Sequence, residues 1–249
     1  MKAAFFSVSM LSFTNILFTV SPDENSEASQ EHKPLIGWAS KDITPTKPVA
    51  LAGQFHVRIS KYVHDAITST ALAIEANNEQ AIMVSCDLLQ IGQGIQDRLR
   101  SKVTPKLPGF DINKLFLNAT HTHTAPVMSE GVYPEQGKEV MTPAEYVDFL
   151  LERVSDAVIE AWENRKPGGV SWALGHAVVG HNRRAVYADG SAQMYGSTNR
   201  EDFECIEGYE DHGVDMLFFW DQQQKLTGIV INLACPSQVT EFVLSSIWK

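Results

Sequence analysis

Apolar residues along the chain follow two spacings, one typical of strands and one typical of helices. Two apolar runs, 67–75 and 81–86, flank the turn-like segment 77–79 and predict a β-hairpin. An amphipathic pattern over 91–107 predicts a helix, because its apolar residues recur every three or four positions. The apolar run 115–118 predicts a short buried strand that leads directly into a pair of histidines.

The clearest helix begins at Thr142. Thr142 and Glu145 form a capping box, and Pro143 occupies the first helical position. The segment 167–169, Pro-Gly-Gly, is expected to stop this helix. Several apolar and aromatic residues recur at helical spacing and should face the core: Tyr146, Phe149, Leu150, Ala157, Val158, Ala161 and Trp162.

The second half of the chain predicts further strands at 170–179, 215–220 and 226–233. Between the first two of these, the polar and glycine-containing segment 187–213 predicts a long loop. Strands alternate irregularly with helices, so the chain should adopt an α/β fold in which mixed β-sheets pack between outer helices.

Composition narrows the class of protein. The chain has 249 residues, enough for one large domain or two small ones. The formal net charge of −10, without any basic run, disfavours nucleic acid or an anionic membrane surface as a partner. The 3 cysteines form no C-x-x-C pair, which excludes a disulfide scaffold and a cysteine-built zinc knuckle.

The N-terminus has the pattern of a secretory signal peptide. Lys2 precedes the mostly apolar run 3–20, and the segment 26–28 offers a small-x-small cleavage site. We therefore expect a signal peptide and the start of a linker at residues 1–28, and export to the periplasm or the extracellular space. The alternative is the frayed first helix of a cytosolic protein. Polar residues interrupt the apolar run, so no transmembrane segment is expected.

After the signal peptide, the chain consists of a short linker and one folded domain. Residues 29–34 continue the polar linker, and the folded domain should occupy 35–249.

The strongest chemical feature is the string Ala-Thr-His-Thr-His-Thr-Ala-Pro at 119–126. On an extended chain, side chains two residues apart point to the same side, so His121 and His123 should lie about 6.6 Å apart at the backbone. We expect both rings at the end of a central strand, facing a concave pocket. Two such imidazoles suit a metal ligand and a neighbour that polarises a bound oxygen. Two partly buried structural histidines are the alternative.

This string closely resembles the A-T-H-T-H-S-G-P motif of the neutral/alkaline ceramidase family. Other segments resemble motifs of the same family in the same order, from about residue 37 to about residue 241. These segments are Gly-Trp-Ala-Ser-Lys-Asp-Ile-Thr-Pro at 37–45, Val-Ser-Cys-Asp-Leu at 84–88, Asn-Arg-Arg at 182–184, Asp-Met-Leu at 215–217 and Ile-Asn-Leu-Ala-Cys at 231–235.

The resemblance implies a secreted zinc hydrolase that cleaves the amide bond of an N-acylated compound, a lipid in that family. By the resemblance, His121 binds one catalytic Zn²⁺, and His123 contacts the oxyanion of the substrate. Arg183 corresponds to an arginine that helps bind the reacting group, and it should therefore approach the two histidines. The partner would be a small-molecule or lipid amide substrate; the sequence leaves the oligomeric state open.

Two departures from the family pattern open alternatives. The family's second zinc histidine is absent from Ala234-Cys235-Pro236, where Cys235 is either a substitute thiolate ligand or a buried apolar residue. The family's remaining ligands, a glutamate and a tyrosine, and its serine nucleophile have no counterpart before Lys249. We therefore expect only the N-terminal part of a ceramidase-like domain. The chain could also be an inactive fragment, a binding module, or a metal hydrolase that acts on another ester or amide.

Three weaker candidates remain. His181 lies two residues before Arg183 and could line the same cleft or lie on the surface. His212 follows several acidic residues in a segment expected to be a solvated loop. The third candidate is the pair His56 and Arg58, which follow Gly53 closely and could approach the cleft.

Overall fold

The structure is a computed structural model, and it describes residues 33–237 and 246–247. The predicted signal peptide and nearly all of the predicted linker lie outside these residues, so export remains a prediction. No helix within the described residues is long and apolar enough to cross a membrane.

The chain forms helices α1 (Ile95–Val103) and α2 (Pro143–Glu163) and a series of strands. In chain order, the strands are β1 (Leu35–Asp42), β2 (Ala50–Leu51), β3 (Arg58–Ile59), β4 (Tyr62–Val63), β5 (Thr68–Ala76), β6 (Glu79–Cys86), β7 (Leu115–Ala119), β8 (Lys166–His176), β9 (Arg184–Tyr187), β10 (Ala192–Met194), β11 (Phe203–Ile206), β12 (Gly213–Asp221), β13 (Leu226–Leu233) and β14 (Ser246–Ile247).

Seven strands form the main sheet, in the order β13-β12-β8-β1-β5-β6-β7. The predicted hairpin is confirmed, because β5 and β6 pair antiparallel. Strands β6 and β7 pair parallel, whereas the other neighbours in this sheet are antiparallel. The strands β10-β9-β11 form a separate small sheet. The predicted α/β class with mixed strand directions is therefore confirmed.

The main sheet folds back on itself at β8. Strands β1 and β8 share only two register pairs, at Leu35 and Ile36. In a flat sheet, β13 would lie three strand spacings, about 14 Å, from β1. Instead, a Cβ added to Gly228 of β13 would lie 2.5 Å from the indole of Trp38 in β1. The ring of Phe219 in β12 meets the same indole edge-on, with centroids 5.3 Å apart. Strands β8, β12 and β13 thus form a second layer over β1, β5 and β6.

Both α-helices pack on the opposite face of the first layer. The predicted capping box is present, with the Thr142 hydroxyl accepting from the Glu145 amide and the Glu145 carboxylate accepting from the Thr142 amide. Helix α2 approaches β1 so closely that a Cβ on Gly37 would lie 2.0 Å from the Ala161 carbonyl oxygen. The main core lies between these helices and the sheet and includes Ala71, Val84, Leu99, Leu115, Leu150 and Val158.

Three sequence predictions about elements were wrong. The helix predicted over 91–107 is shorter, because Gly94 adopts a left-handed φ of 76° just before α1 begins at Ile95. The strand predicted to begin at residue 170 begins at Lys166, so the segment 167–169 lies inside β8, where Gly168 allows close contact with the Trp220 carbonyl. The predicted loop 187–213 contains β10 and β11, which pair with β9.

The thiol of Cys86 is fully buried in the main core, and it makes the free energy of unfolding depend on pH in the alkaline range. Burial raises its pKa from the ordinary 9.0 to about 12, although a hydrogen bond to Ser69 opposes this. The unfolded thiol ionises above pH 9 and the folded one does not, so the contribution of this thiol to stability is constant below pH 9. It should then fall by about 1.4 kcal/mol per pH unit as the pH rises towards 12. Burial of Tyr146 raises its pKa and acts in the same direction.

We therefore expect the difference in unfolding free energy between the wild type and Cys86→Ala to shrink as the pH rises from 9 to 11. Urea unfolding at several pH values would measure this difference. The variant Cys205→Ala is the control, because Cys205 is exposed. A constant difference across this pH range would contradict a raised pKa for the Cys86 thiol.

Candidate active site

The two histidines follow the end of β7 in a tight turn. Strand β7 ends at Ala119, and His121 has a left-handed φ of 61°. The extended alternation predicted for this segment is therefore wrong. The turn nevertheless brings the rings of His121 and His123 together, with centroids 5.1 Å apart and planes at 65°. Strand β7 is the edge of the described sheet, whereas a central strand was expected.

Backbone hydrogen bonds fix this turn to the loop that follows β6. The amide of Thr120 donates to the Cys86 carbonyl (3.0 Å), and the amide of Thr122 donates to the Leu88 carbonyl (3.2 Å). The buried hydroxyls of Thr122 and Thr124 lie 3.0 Å apart and bond to each other. The threonines therefore bind the inner side of the turn, which leaves His121 at the surface.

The ring of His123 is held by a backbone carbonyl. Its Nδ1 lies 2.9 Å from the carbonyl oxygen of Gly53. A carbonyl oxygen can only accept, so Nδ1 carries the hydrogen, and the neutral ring presents Nε2 as an acceptor. Gly53 has a φ of 93°, and a Cβ there would lie 2.5 Å from the ring. The glycine is thus required both by the backbone and by the close approach of the imidazole.

The half-buried Arg58 forms hydrogen bonds with the loop that contains Gly53 and with the histidine turn. The guanidinium of Arg58 donates to the carbonyl of Ala52 (3.0 Å) and also to the carbonyl of His123. The hydroxyl of Tyr133 donates to the carbonyl of Gln54. Arg58 therefore reaches the site, as the sequence suggested, and joins the Gly53 loop to the histidine turn.

His121 borders a cleft of about 540 Å³ between the end of β7 and the end of β13. Asn118 and Thr120 lie on its first side, and Asn232 and Cys235 lie on the second. Neither asparagine was predicted to have a role, although each is a polar residue near the carboxyl end of an apolar strand. Their side-chain amides can donate to a carbonyl oxygen of a bound molecule.

Arg183 and His181 line a neighbouring cavity of about 530 Å³. Pro236 borders both this cavity and the His121 cleft. Arg183 donates to the hydroxyl of Tyr195 at 2.6 Å. The Nδ1 of His181 lies 3.7 Å from a carboxylate oxygen of Glu210.

The donors that the described residues contribute to the cleft do not complete a zinc site. Catalytic zinc takes three protein ligands and an open position. Within the described residues, no group of three histidine, cysteine or acidic side chains converges as a metal site requires. His121 and Cys235 border the same cleft, and the Cys235 thiol donates to the Pro236 carbonyl at 3.5 Å. These two residues supply at most two of the donors.

No family model matches the chain, and no curated protein matches it. Its fold is similar to that of two solved ceramidase structures. The neutral ceramidase from Pseudomonas aeruginosa superposes with a TM-score of 0.60 at 19% identity, over 80% of this chain and 31% of that chain. A structure described as a ceramidase complexed with C2 superposes with a TM-score of 0.58 at 19% identity, over 80% of this chain and 30% of that chain.

The chain therefore spans less than a third of the length of these structures. At this identity, the likeness establishes a ceramidase-like fold, in agreement with the fold that the sequence predicted.

Proposed function

We propose that this chain forms part of the active site of a hydrolase that cleaves the amide bond of an N-acylated compound. The observation that supports this most is the meeting of the His121 and His123 rings on a ceramidase-like fold, beside the cleft that His121 borders. The Gly53 carbonyl fixes the tautomer of His123, so that Nδ1 carries the hydrogen and Nε2 is the nitrogen that can accept a proton.

In this proposal, His123 is a general base. Its Nε2 takes a proton from a water molecule, whose oxygen attacks the amide carbon and forms a tetrahedral oxyanion. The protonated ring donates to that oxyanion and then transfers its proton to the leaving nitrogen as the C–N bond breaks. The products are a carboxylic acid and an amine. Because Nδ1 stays bound to Gly53, the ring keeps one orientation through both steps.

Neighbouring side chains would position the amide. Asn118 and Asn232 border the cleft from its two sides, and their amides can donate to the substrate carbonyl oxygen. Arg183 would add positive charge from the adjoining cavity on the Pro236 side. Both contributions favour the oxyanion over the neutral carbonyl, which is the requirement for lowering the barrier.

The zinc ion implied by the resemblance remains a hypothesis. His121 would be its ligand and Cys235 a possible second donor, but the described residues do not complete the site. No step of the proposed reaction is therefore assigned to a metal.

Apolar residues beside the cleft favour a lipid as the N-acylated substrate. Ile231 and Leu233 border the cleft with exposed fractions of 55% and 37%. Phe116, two residues before Asn118 on β7, is 50% exposed. Each apolar group that a bound acyl chain removes from water contributes to affinity, at roughly 25 cal/mol per Å².

We expect His123→Ala to lower the turnover of an N-acyl amide by 10²-fold or more, because general base catalysis contributes about that factor. His121→Ala should also lower turnover, because it removes the ring that packs against His123 and borders the cleft, and so disturbs the positioning of base and substrate. The measurement is hydrolysis of a fluorogenic N-decanoyl amide by the full chain, beside the matched decanoyl ester, with zinc content determined on the same samples. His176→Ala is the control, because His176 is exposed and borders neither cavity.

Equal losses in all three variants would contradict the assignment of the site. Preferential cleavage of the ester would indicate a different hydrolase. A second candidate function is a binding module that holds an N-acyl compound in the cleft bordered by His121 and Asn232, without catalysis. Absence of amide cleavage, combined with N-acyl amide binding that His121→Ala abolishes, would support the binding module and overturn the hydrolase.

A further inference from the structure

Tyr195 has a left-handed backbone conformation, which glycine and asparagine adopt more readily than tyrosine does. Its φ is 54°, in the left-handed region where a Cβ crowds the backbone and where Gly or Asn is favoured. Its side chain is 68% exposed, so burial of the ring in the core does not explain the choice. Unfavourable backbone conformations of this kind concentrate at functional sites.

The contacts of Tyr195 converge on one residue, Arg183. The backbone amide of Tyr195 donates to the Arg183 carbonyl at 2.7 Å. The Tyr195 hydroxyl accepts from the Arg183 guanidinium at 2.6 Å, and the guanidinium carbon lies 5.1 Å from the ring centroid. The left-handed turn thus returns the phenol to the arginine twelve positions earlier.

The surrounding strands make this arrangement rigid. Met194 pairs with Arg184 across β10 and β9, which fixes the register on one side of Tyr195. On the other side, a Cβ on Gly196 would lie 2.3 Å from the Tyr187 hydroxyl, so the chain packs closely there. Both the backbone and the side chain of Arg183 are therefore tied to Tyr195.

We propose that Tyr195 is a positioning residue that holds the Arg183 guanidinium in the cavity beside the His121 cleft, for binding of the carboxylate formed by amide cleavage. This inference rests on the role of Arg183 in the proposed function. A guanidinium matches a carboxylate geometrically, and the phenol restricts its orientation before the ligand arrives.

Binding of decanoate to the full chain, measured by calorimetry, tests the proposal. Arg183→Ala should weaken binding at least 10-fold. Tyr195→Phe, which keeps the ring and loses one hydrogen bond, should weaken it about 3- to 10-fold. In the Arg183→Ala background, Tyr195→Phe should have no further effect. Tyr62→Phe is the control, because Tyr62 is also exposed but borders neither cavity.

Tyr195→Asn separates positioning from stability. Asn tolerates the left-handed backbone, so the melting temperature should not fall, whereas decanoate affinity should fall at least as much as in Tyr195→Phe. A melting temperature that falls together with affinity would show a structural role. Weak binding in Arg183→Ala with normal binding in Tyr195→Phe would overturn the positioning role alone. Normal binding in Arg183→Ala, or no binding by the wild type, would overturn the role of Arg183 as well.

Discussion

Replacement of Gly37 by alanine should lower the free energy of unfolding by about 3 kcal/mol or prevent folding, as overpacking of a rigid contact does. The new Cβ would lie 2.0 Å from the carbonyl oxygen of Ala161 and 3.0 Å from the amide nitrogen of Arg165. Both are backbone atoms of α2 and the residues that follow it, so no side chain can rotate away. Strand β1 and helix α2 would have to separate, which opens the main core.

The control for this prediction is Gly169→Ala. Gly169 also lies in a strand of the main sheet, but the nearest atom to a Cβ there is 4.0 Å away, on Trp220. Urea unfolding followed by circular dichroism would give both free energies. Comparable losses in the two variants would show that strand glycines in general, and not the contact with α2, limit stability.

Elements with local signals were predictable from the sequence. The capping box of Thr142 and Glu145 fixes where α2 begins, because the residues that satisfy the free backbone amides are themselves within the first turn. The β5–β6 hairpin is equally local, since its turn contains Asn77 and Asn78, both with positive φ. Neither element depends on residues distant in the chain.

Elements that depend on distant partners were not predictable. Strands β10 and β11 have three and four residues, too short for a periodic pattern, and they exist because β9 lies between them. Pro167 and Gly168 are typical helix breakers, yet they begin a strand that crosses from the first layer to the second. The pairing of Pro167 with Leu35 in β1 and of Gly168 with Asp221 in β12 explains this.

In the candidate site, too, features with a local sequence signal were predictable, and features that depend on distant residues were not. The His-Thr-His string drew attention to the correct turn, but the left-handed φ of His121 depends on where β7 ends and on the hydrogen bonds of Thr120 and Thr122. Asn232 joins the cleft only because β13 folds over the first layer. Gly53 contacts His123 across seventy positions, which no local pattern indicates.

The site is therefore assembled by packing of loops from three parts of the chain. Gly53 and Arg58 come from the segment after β2, the histidines follow β7, and Cys235 follows β13. Arg58 joins the first two segments through the carbonyls of Ala52 and His123. The first two segments thus form one hydrogen-bonded unit, whereas β13 provides the opposite side of the cleft.

The largest functional effect should follow from Gly53→Ala. The new Cβ would lie 2.5 Å from the Cγ and Nδ1 of His123, so the ring must leave the Gly53 carbonyl. Nδ1 would then no longer be fixed as the protonated nitrogen, and Nε2 would lose its orientation towards an attacking water. We expect a loss of 10²-fold or more in amide turnover, similar to that of His123→Ala.

Alanine at a left-handed position also strains the backbone, and Gly131→Ala controls for that strain. Gly131 has a φ of 76°, but a Cβ there has no atom within 4 Å. Both variants should lose about 1–2 kcal/mol of stability from the unfavourable φ, whereas only Gly53→Ala should lose activity. The nitrogen chemical shifts of His123 report its tautomer directly and should change only in Gly53→Ala. Unchanged shifts and turnover in Gly53→Ala would show that the Gly53 carbonyl does not hold the reactive form of His123.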